Sequence, residues 1–386
     1  MSAPRPRWRL RVQVPASPRI AAGGDAVLVP GFGRARRDVL ACHALADGAS
    51  RWEVALDDFI LASALAGVEL AADPDGDAVY LAQDATVACF AIATGAKRWA
   101  VRVPADPPFE SFTLAGPPVI AGRRLLLRSR RSRLVALERR DGALAWAADG
   151  PPAADVLVVG DVAISRSMGP GEVRAHDRAT GAARWTRSGV EPIALVAGSG
   201  LDDDRTYLVT DGRGVVALDA STGDPRWQTP VSGAARAAQV GSVVILADDG
   251  SVRGLDAASG AARWVLPGRG PALVAPLDGA TVVVVRGAAT SVLDAATGKG
   301  RDHGGLRVEA HDRVLDARGG AVALTADGGL AHLLALEASG GLRVQVIGEA
   351  TARPGAPAPH GVLQAIAFAG GAVTIDTAHE LCRFDA

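Results

Sequence analysis

No asparagine occurs anywhere in the 386 residues, and lysine occurs only at Lys97 and Lys299. The first absence leaves glycine and aspartate to supply nearly all the turn chemistry. The second leaves arginine to carry almost all the positive charge, a bias that a GC-rich genome produces without selection for function. Cysteine is scarce: Cys42, Cys89 and Cys382 are an odd and widely spaced set, which excludes a disulfide framework. Aromatic residues are only 4% of a chain that is 48% hydrophobic, so the apolar content is mostly Ala, Val and Leu, which suits thin, closely stacked sheets. No run approaches the roughly 18 apolar residues of a membrane helix, and no stretch carries a convincing helical period. A net charge of −1 gives no global attraction to nucleic acid or to an acidic membrane surface. The first 24 residues have basic side chains but no apolar core segment and no lipid-acceptor cysteine, and Arg7 to Val14 alternates as a strand does. The expectation from these absences is a soluble, cytoplasmic monomer without a membrane span.

What the chain has in quantity is glycine (46) and proline (23), as many tight turns require. It also has an internal repeat. An apolar strand runs to an acidic residue, then to Thr/Ser/Asp-Gly, and Trp follows four residues after the glycine. The clearest copies are 175–185, 217–227 and 254–264, built on Asp177, Gly181 and Trp185, on Asp219, Gly223 and Trp227, and on Asp256, Gly260 and Trp264. Less regular copies end at Trp52, Trp99 and Trp146. A copy on Asp294 and Gly298 has Asp302 in the tryptophan position, and another near 336–340 offers Val344. With Trp8 these are all seven tryptophans, spaced 44, 47, 47, 39, 42 and 37 residues apart. Short β-rich runs precede each hairpin, as in 242–247 before 251–255. A unit of this length with about four strands is one propeller blade.

Each part of the motif has a physical role. The acid accepts hydrogen bonds from the backbone N–H groups of the turn. Glycine takes the positive φ that the turn needs. Tryptophan returns on the outer strand, where a large flat ring spans the gap to the next blade and its burial stabilises by about 3 kcal/mol or more. Six residues before the turn glycine, Cys42 and Cys89 share a slot with Ala136, Ala175 and Ala217, which marks it as a place for a small buried side chain.

The pattern Asp-x-x-Thr-Gly-x-x-x-Trp is similar to the tryptophan-docking repeat of pyrroloquinoline-quinone enzymes and their non-enzymatic relatives, and the similarity runs from about Trp8 to Ala386. The resemblance implies an all-β propeller in one domain. Nine blades follow from the outer-strand count, with eight the alternative that the family resemblance favours. The chain ends at 380–386 on a third strand and its acid, and it begins at Trp8 on an outer strand, so strand 7–14 is expected to pair with 380–385 and close the ring. Residues 348–361, with three prolines, read as an insertion between the last two units.

For a quinone-dependent oxidoreductase the resemblance implies an adjacent cysteine pair, a calcium site using Glu and Asn, an Asp base and a Trp under the cofactor. No two cysteines are adjacent, asparagine is absent, and every tryptophan occupies a repeat position. No cofactor, no metal and no catalytic residue is therefore expected. Asp73 to Asp77 and Asp202 to Asp204 read as polar turns, because glycine falls at the wrong place for a calcium loop. The seven histidines show no ligand spacing. Two features stand out as candidate contacts. Arg123, Arg124, Arg128, Arg130, Arg131, Arg133, Arg139 and Arg140 cluster in one unit, read first as a solvated blade edge and second as an anionic-partner site. Phe109 and Phe112 sit in a proline-rich connection, read first as inward packing and second as a peptide grip. The leading function is a non-catalytic scaffold for another protein, with a funnel-sited enzyme and a small-ligand sensor as alternatives.

Overall fold

The computed structural model describes every residue except 1–5, 14–20, 24, 34–36, 60–67, 74–76, 105–113, 115, 130–132, 151–152, 168–170, 191–193, 198–205, 212–213, 234, 310–313, 319–320, 328–329, 337–341, 350–362, 369–370, 377–379 and 386. Among the described residues there is no helix, and the strands form nine four-stranded antiparallel sheets. Eight sheets are meanders of consecutive strands, spanning 21–55, 69–102, 119–149, 153–190, 194–230, 236–267, 272–302 and 314–349. The ninth takes Leu363–Phe368, Gly371–Asp376 and Glu380–Asp385 from the end of the chain and Trp8–Arg11 from its beginning. In that sheet Trp8 lies opposite Arg383 and Arg11 opposite Glu380.

First strands of neighbouring sheets touch: Ala21–Gly23 lies against Glu69–Ala72 on one side and Leu363–Phe368 on the other. The fourth strand of each sheet is outermost. The fold is a β-propeller. Middle strands are covered on both faces by the adjacent sheets, so they read as unbroken apolar runs such as Val282 to Val285. Outer strands are half wet and alternate, as in Lys97–Arg102, where Trp99 is buried between exposed neighbours. The core is accordingly a series of apolar layers between sheets. One layer joins Leu28 and Leu40 of the first sheet to Leu81 and Phe90 of the second. Another joins Leu273 and Val285 of the seventh to Leu324 and Leu334 of the eighth.

The third and fourth strands of the first six sheets share one irregularity. The register slips immediately after the small-residue slot, between Cys42 and His43, Cys89 and Phe90, Ala136 and Leu137, Ala175 and His176, Ala217 and Leu218, and Gly254 and Leu255. The slot itself faces tryptophan across the ladder: Cys42 opposite Trp52, Cys89 opposite Trp99, Gly254 opposite Trp264. The ring opposite leaves room for a small side chain only, and at Gly254 even an added Cβ would come within 2.1 Å of the Trp264 ring. The extra residue of each bulge is the one before tryptophan, and a bulge turns such a side chain out of the ladder.

Candidate functional site

Each tryptophan reaches across to the sheet that follows it. The indole Nε1–H of Trp8 donates to Leu45 O, Trp52 to Ile92 O, Trp99 to Arg139 O, Trp146 to Arg178 O, Trp185 to Ala220 O, Trp227 to Ala257 O and Trp264 to Ala295 O, all at 2.8–3.0 Å. Every acceptor lies three residues before a turn glycine. The ring then covers that glycine: Trp8 covers Gly48, Trp146 covers Gly181, Trp227 covers Gly260 and Trp264 covers Gly298. Glycine is required there twice over. Its φ is +74° at Gly181 and +71° at Gly260, and a Cβ on either would lie 2.6 Å from indole carbon.

The acids bind their turns as expected. Asp177 Oδ1 accepts the Ala179 and Thr180 N–H groups at 3.0 and 2.9 Å, Asp256 Oδ1 those of Ala258 and Ser259 at 3.1 and 2.9 Å, and Asp294 Oδ1 that of Thr297 at 2.8 Å. Asp219 does the same with Ser221 at 2.8 Å. The second carboxylate oxygen carries a partner that the sequence reading passed over. Arg184, Arg226 and Arg263, the bulge residues before tryptophan, pair with Asp177, Asp219 and Asp256 at 2.5, 2.7 and 2.6 Å. Arg51 and Arg98 occupy the same place and pair instead with Asp25 and Asp77 in the first turn of their sheets. The signal was present as a recurring Arg-Trp dipeptide. The Arg184 guanidinium and the Thr180 hydroxyl hold the Asp177 carboxyl at about 2, and Arg263 with Ser259 does the same for Asp256. Burial raises Asp219, but Ser221 and Arg226 outweigh it and leave that carboxyl at about 2 as well.

Among the clefts between neighbouring sheets, two have contrasting linings. One, of about 470 Å³, lies between the second and third sheets and is lined by Asp73, Asp77, Tyr80, Arg98, Arg123, Glu138, Arg139 and Arg140. Arg139 lies across its floor, paired with the buried Asp73, donating from Nε to the Tyr80 hydroxyl at 2.8 Å and standing 5.5 Å over that ring. Four arginines against three acids give the lining an excess of one positive charge, with Arg123 and Arg140 exposed. The other cleft, of about 390 Å³, lies between the seventh and eighth sheets and is mostly apolar.

A family model described as outer membrane protein assembly factor BamB matches residues 5–162, 83–200 and 169–275. The chain belongs to this family. The fold agrees with solved structures at low identity. BamB from Moraxella catarrhalis is 14% identical with a TM-score of 0.54, and the match covers 98% of each chain. The computationally designed Ika8 protein is 14% identical with a TM-score of 0.58, covering 89% of this chain and all of that one. The dihydro-heme d1 dehydrogenase NirN is 15% identical with a TM-score of 0.53, covering 88% and 78%. No curated protein matches the chain. At such identities the solved structures show the propeller alone.

The arginine cluster does not stay together as one solvated edge. Arg124 and Arg128 are buried, at 7% and 8% exposure. Arg124 pairs with Glu138 and donates to Ala179 O of the next sheet at 3.1 Å. Arg133 pairs with Asp149 on the neighbouring strand at 2.7 Å, and Arg140 with Asp141 at 3.0 Å. Both faces of Arg124–Arg128 are covered by neighbouring sheets, so adjacency in sequence does not make a surface patch. Arg130, Arg131, Phe109 and Phe112 lie outside the described residues, as do Asp202 to Asp204 and nearly all of the 348–361 segment. Cys42 and Cys89 are buried, and burial pushes both thiols up to about 11.

Proposed function

We propose that the chain is a non-catalytic scaffold that binds another protein through the loop face of a closed, nine-bladed propeller. One observation carries this reading: all seven indoles are committed to the borders between sheets, each with its N–H bound to a neighbouring carbonyl. A quinone of the kind that related propellers use needs an indole beneath it, an adjacent cysteine pair and an asparagine ligand for calcium. This chain has none of these to give, so the quinone does not fit its residues. Membership of a family named for an assembly factor supports a protein partner. We place the contact at the arginine-lined cleft between the second and third sheets, where Arg123 and Arg140 face solvent. Exposed guanidinium groups there suit an acidic segment of the partner.

The test is affinity purification from the source cells after mild cross-linking, comparing the parent chain with the Arg123→Glu/Arg140→Glu variant. A partner that is recovered with the parent and reduced at least about tenfold with the variant supports the reading. Dye-linked oxidation after addition of pyrroloquinoline quinone and calcium would overturn it. A monomer in the cytoplasm is part of the same proposal. Cell fractionation and light scattering check those two points, and class averages in electron microscopy check the blade number and the closure.

A further inference from the structure

The turn between the first two strands of the third sheet lacks the acids that the same turn of the second sheet carries. In the second sheet, Asp73 follows the first strand and Asp77 precedes the second. Arg139 of the next sheet pairs with Asp73, and Arg98 of the same sheet pairs with Asp77. One sheet on, Gly122 and Arg123 occupy those two places, between Val119–Ala121 and Arg124–Arg128. The backbone shows the equivalence: the carbonyls of Asp77, Arg123 and Asp161 accept the N–H groups of Ile92, Arg139 and Arg178 in turn, at 2.8–3.2 Å. The basic partners do not change to match. Arg178, like Arg139, stands three residues before a turn glycine, and its guanidinium lies 3.6 Å from where a Cβ on Gly122 would be. The counterpart of Arg98, the residue before tryptophan, is Ala145. Among the described residues no carboxylate pairs with Arg123 or Arg178. Where the second sheet's turn balances two arginines with two acids, the third sheet's turn gathers two arginines and no acid. Arg123 is exposed and Arg178 half-buried. Leu144, directly before Ala145, is 49% exposed, where the corresponding residues of the other tryptophan hairpins are Ser50, Lys97, Ala183, Pro225 and Ala262.

We propose that a carboxylate side chain of a partner protein, carried next to a large apolar residue, docks at Arg123 and Arg178. The chain's own turns choose that occupant. Asp25, Asp77 and Asp161 each pair with an arginine at the equivalent turn of their sheets, so the group missing from the third sheet is a carboxylate. Guanidinium forks present parallel N–H donors that match its two oxygens. Ala145 leaves free the room that the Arg98 side chain fills in the second sheet. Leu144 adds an apolar contact on the same strand, and the need for one follows from how little an exposed ion pair contributes alone. The proposal rests on the scaffold reading and names the chemistry of the contact, at the border of the third and fourth sheets rather than in the cleft between the second and third.

The experiment uses the full chain at low ionic strength and a blocked pentapeptide, Gly-Leu-Asp-Leu-Gly, with Gly-Leu-Asn-Leu-Gly and inorganic phosphate as comparisons. Heteronuclear spectra follow the Nε–Hε resonances of Arg123 and Arg178. The expected result is that both move and saturate with the aspartate peptide, and that the asparagine peptide binds at least about fivefold more weakly. Two variants should each weaken the aspartate peptide at least about fivefold: Arg178→Gln, and Arg123→Asp/Ala145→Arg, which rebuilds the Asp77–Arg98 pair in the third sheet. Circular dichroism checks that both keep their strand content. Resonances that stay still overturn the proposal, as do equal binding of the two peptides and binding that survives either variant. Saturation by phosphate at lower concentration than the peptide also overturns it, since that marks a small-anion site. If the peptide fails while Arg123→Glu/Arg140→Glu still reduces recovery of a partner, only this proposal falls. If the peptide binds as expected and that variant recovers the partner undiminished, only the placement of the partner at the other cleft falls.

Discussion

Replacing Gly260 by alanine tests whether the indole or only the backbone demands glycine at the docking turns. Gly260 has φ +71°, and an added Cβ would lie 2.6 Å from Trp227 Cδ2. The left-handed conformation costs an alanine about 1 kcal/mol. Forcing the indole aside costs about 1–3 kcal/mol more, the usual range for overpacking. Gly260→Ala should therefore destabilise by about 2–4 kcal/mol. Trp227→Ala alone should cost about 3–5 kcal/mol, because the ring is buried and its N–H bond to Ala257 O is lost. In the Trp227→Ala background the clash is gone, and Gly260→Ala should cost only the backbone term of about 1 kcal/mol. The double-mutant cycle then gives a coupling of about 1–3 kcal/mol between the two positions. Gly287 is a built-in control: its φ is +57° with nothing within 4 Å of an added Cβ, so Gly287→Ala should show the backbone term alone. Urea unfolding followed by far-ultraviolet circular dichroism reads these differences as midpoint shifts at a common slope. If Gly260→Ala costs the same with and without the indole, and no more than Gly287→Ala, the docking argument is wrong.

Further expectations concern the carboxylates, the thiols and the meeting of the chain ends. Asp177, Asp219 and Asp256 sit at about 2 in the fold against 3.8 for a free carboxyl. A depressed folded value means that their contribution is complete above the unfolded value and is lost as pH falls from near 4 toward 2. The melting temperature should fall across that window, and the triple Asp→Asn variant should start lower at pH 7 and lose less on acidification. Thiol titration of the native protein at pH 7.5 should leave Cys42 and Cys89 unmodified until denaturant is added, since burial holds both near 11; rapid labelling of either would contradict their placement. Arg9 stands directly opposite Cys382 in the ninth sheet, at a separation that a disulfide spans. Arg9→Cys under mild oxidant should give an intramolecular bond visible by mass after proteolysis, and only intermolecular products would argue against the pairing.

The sequence alone determined the fold class, because the repeat is written in local terms. An acid that binds its own turn, a glycine at positive φ and an aromatic at a fixed distance all act within about ten residues, as Asp256, Gly260 and Trp264 show. The small-residue slot was legible for the same reason, although its cause, a tryptophan directly across the ladder, appears only in the register. Tertiary structure decided what depends on neighbouring sheets. The sequence pairs Asp177 with its own turn, but Arg184 reaches it because a bulge turns that side chain outward. Eight arginines look like one patch in the chain, yet packing on both faces buries Arg124 and Arg128 and leaves Arg123 and Arg140 at a cleft. The absence of tryptophan at Asp302 was visible from the start. That a mostly apolar cleft lies beside the shortened strand ending there appears only in the folded chain, since such a gap exists between sheets and not along a strand.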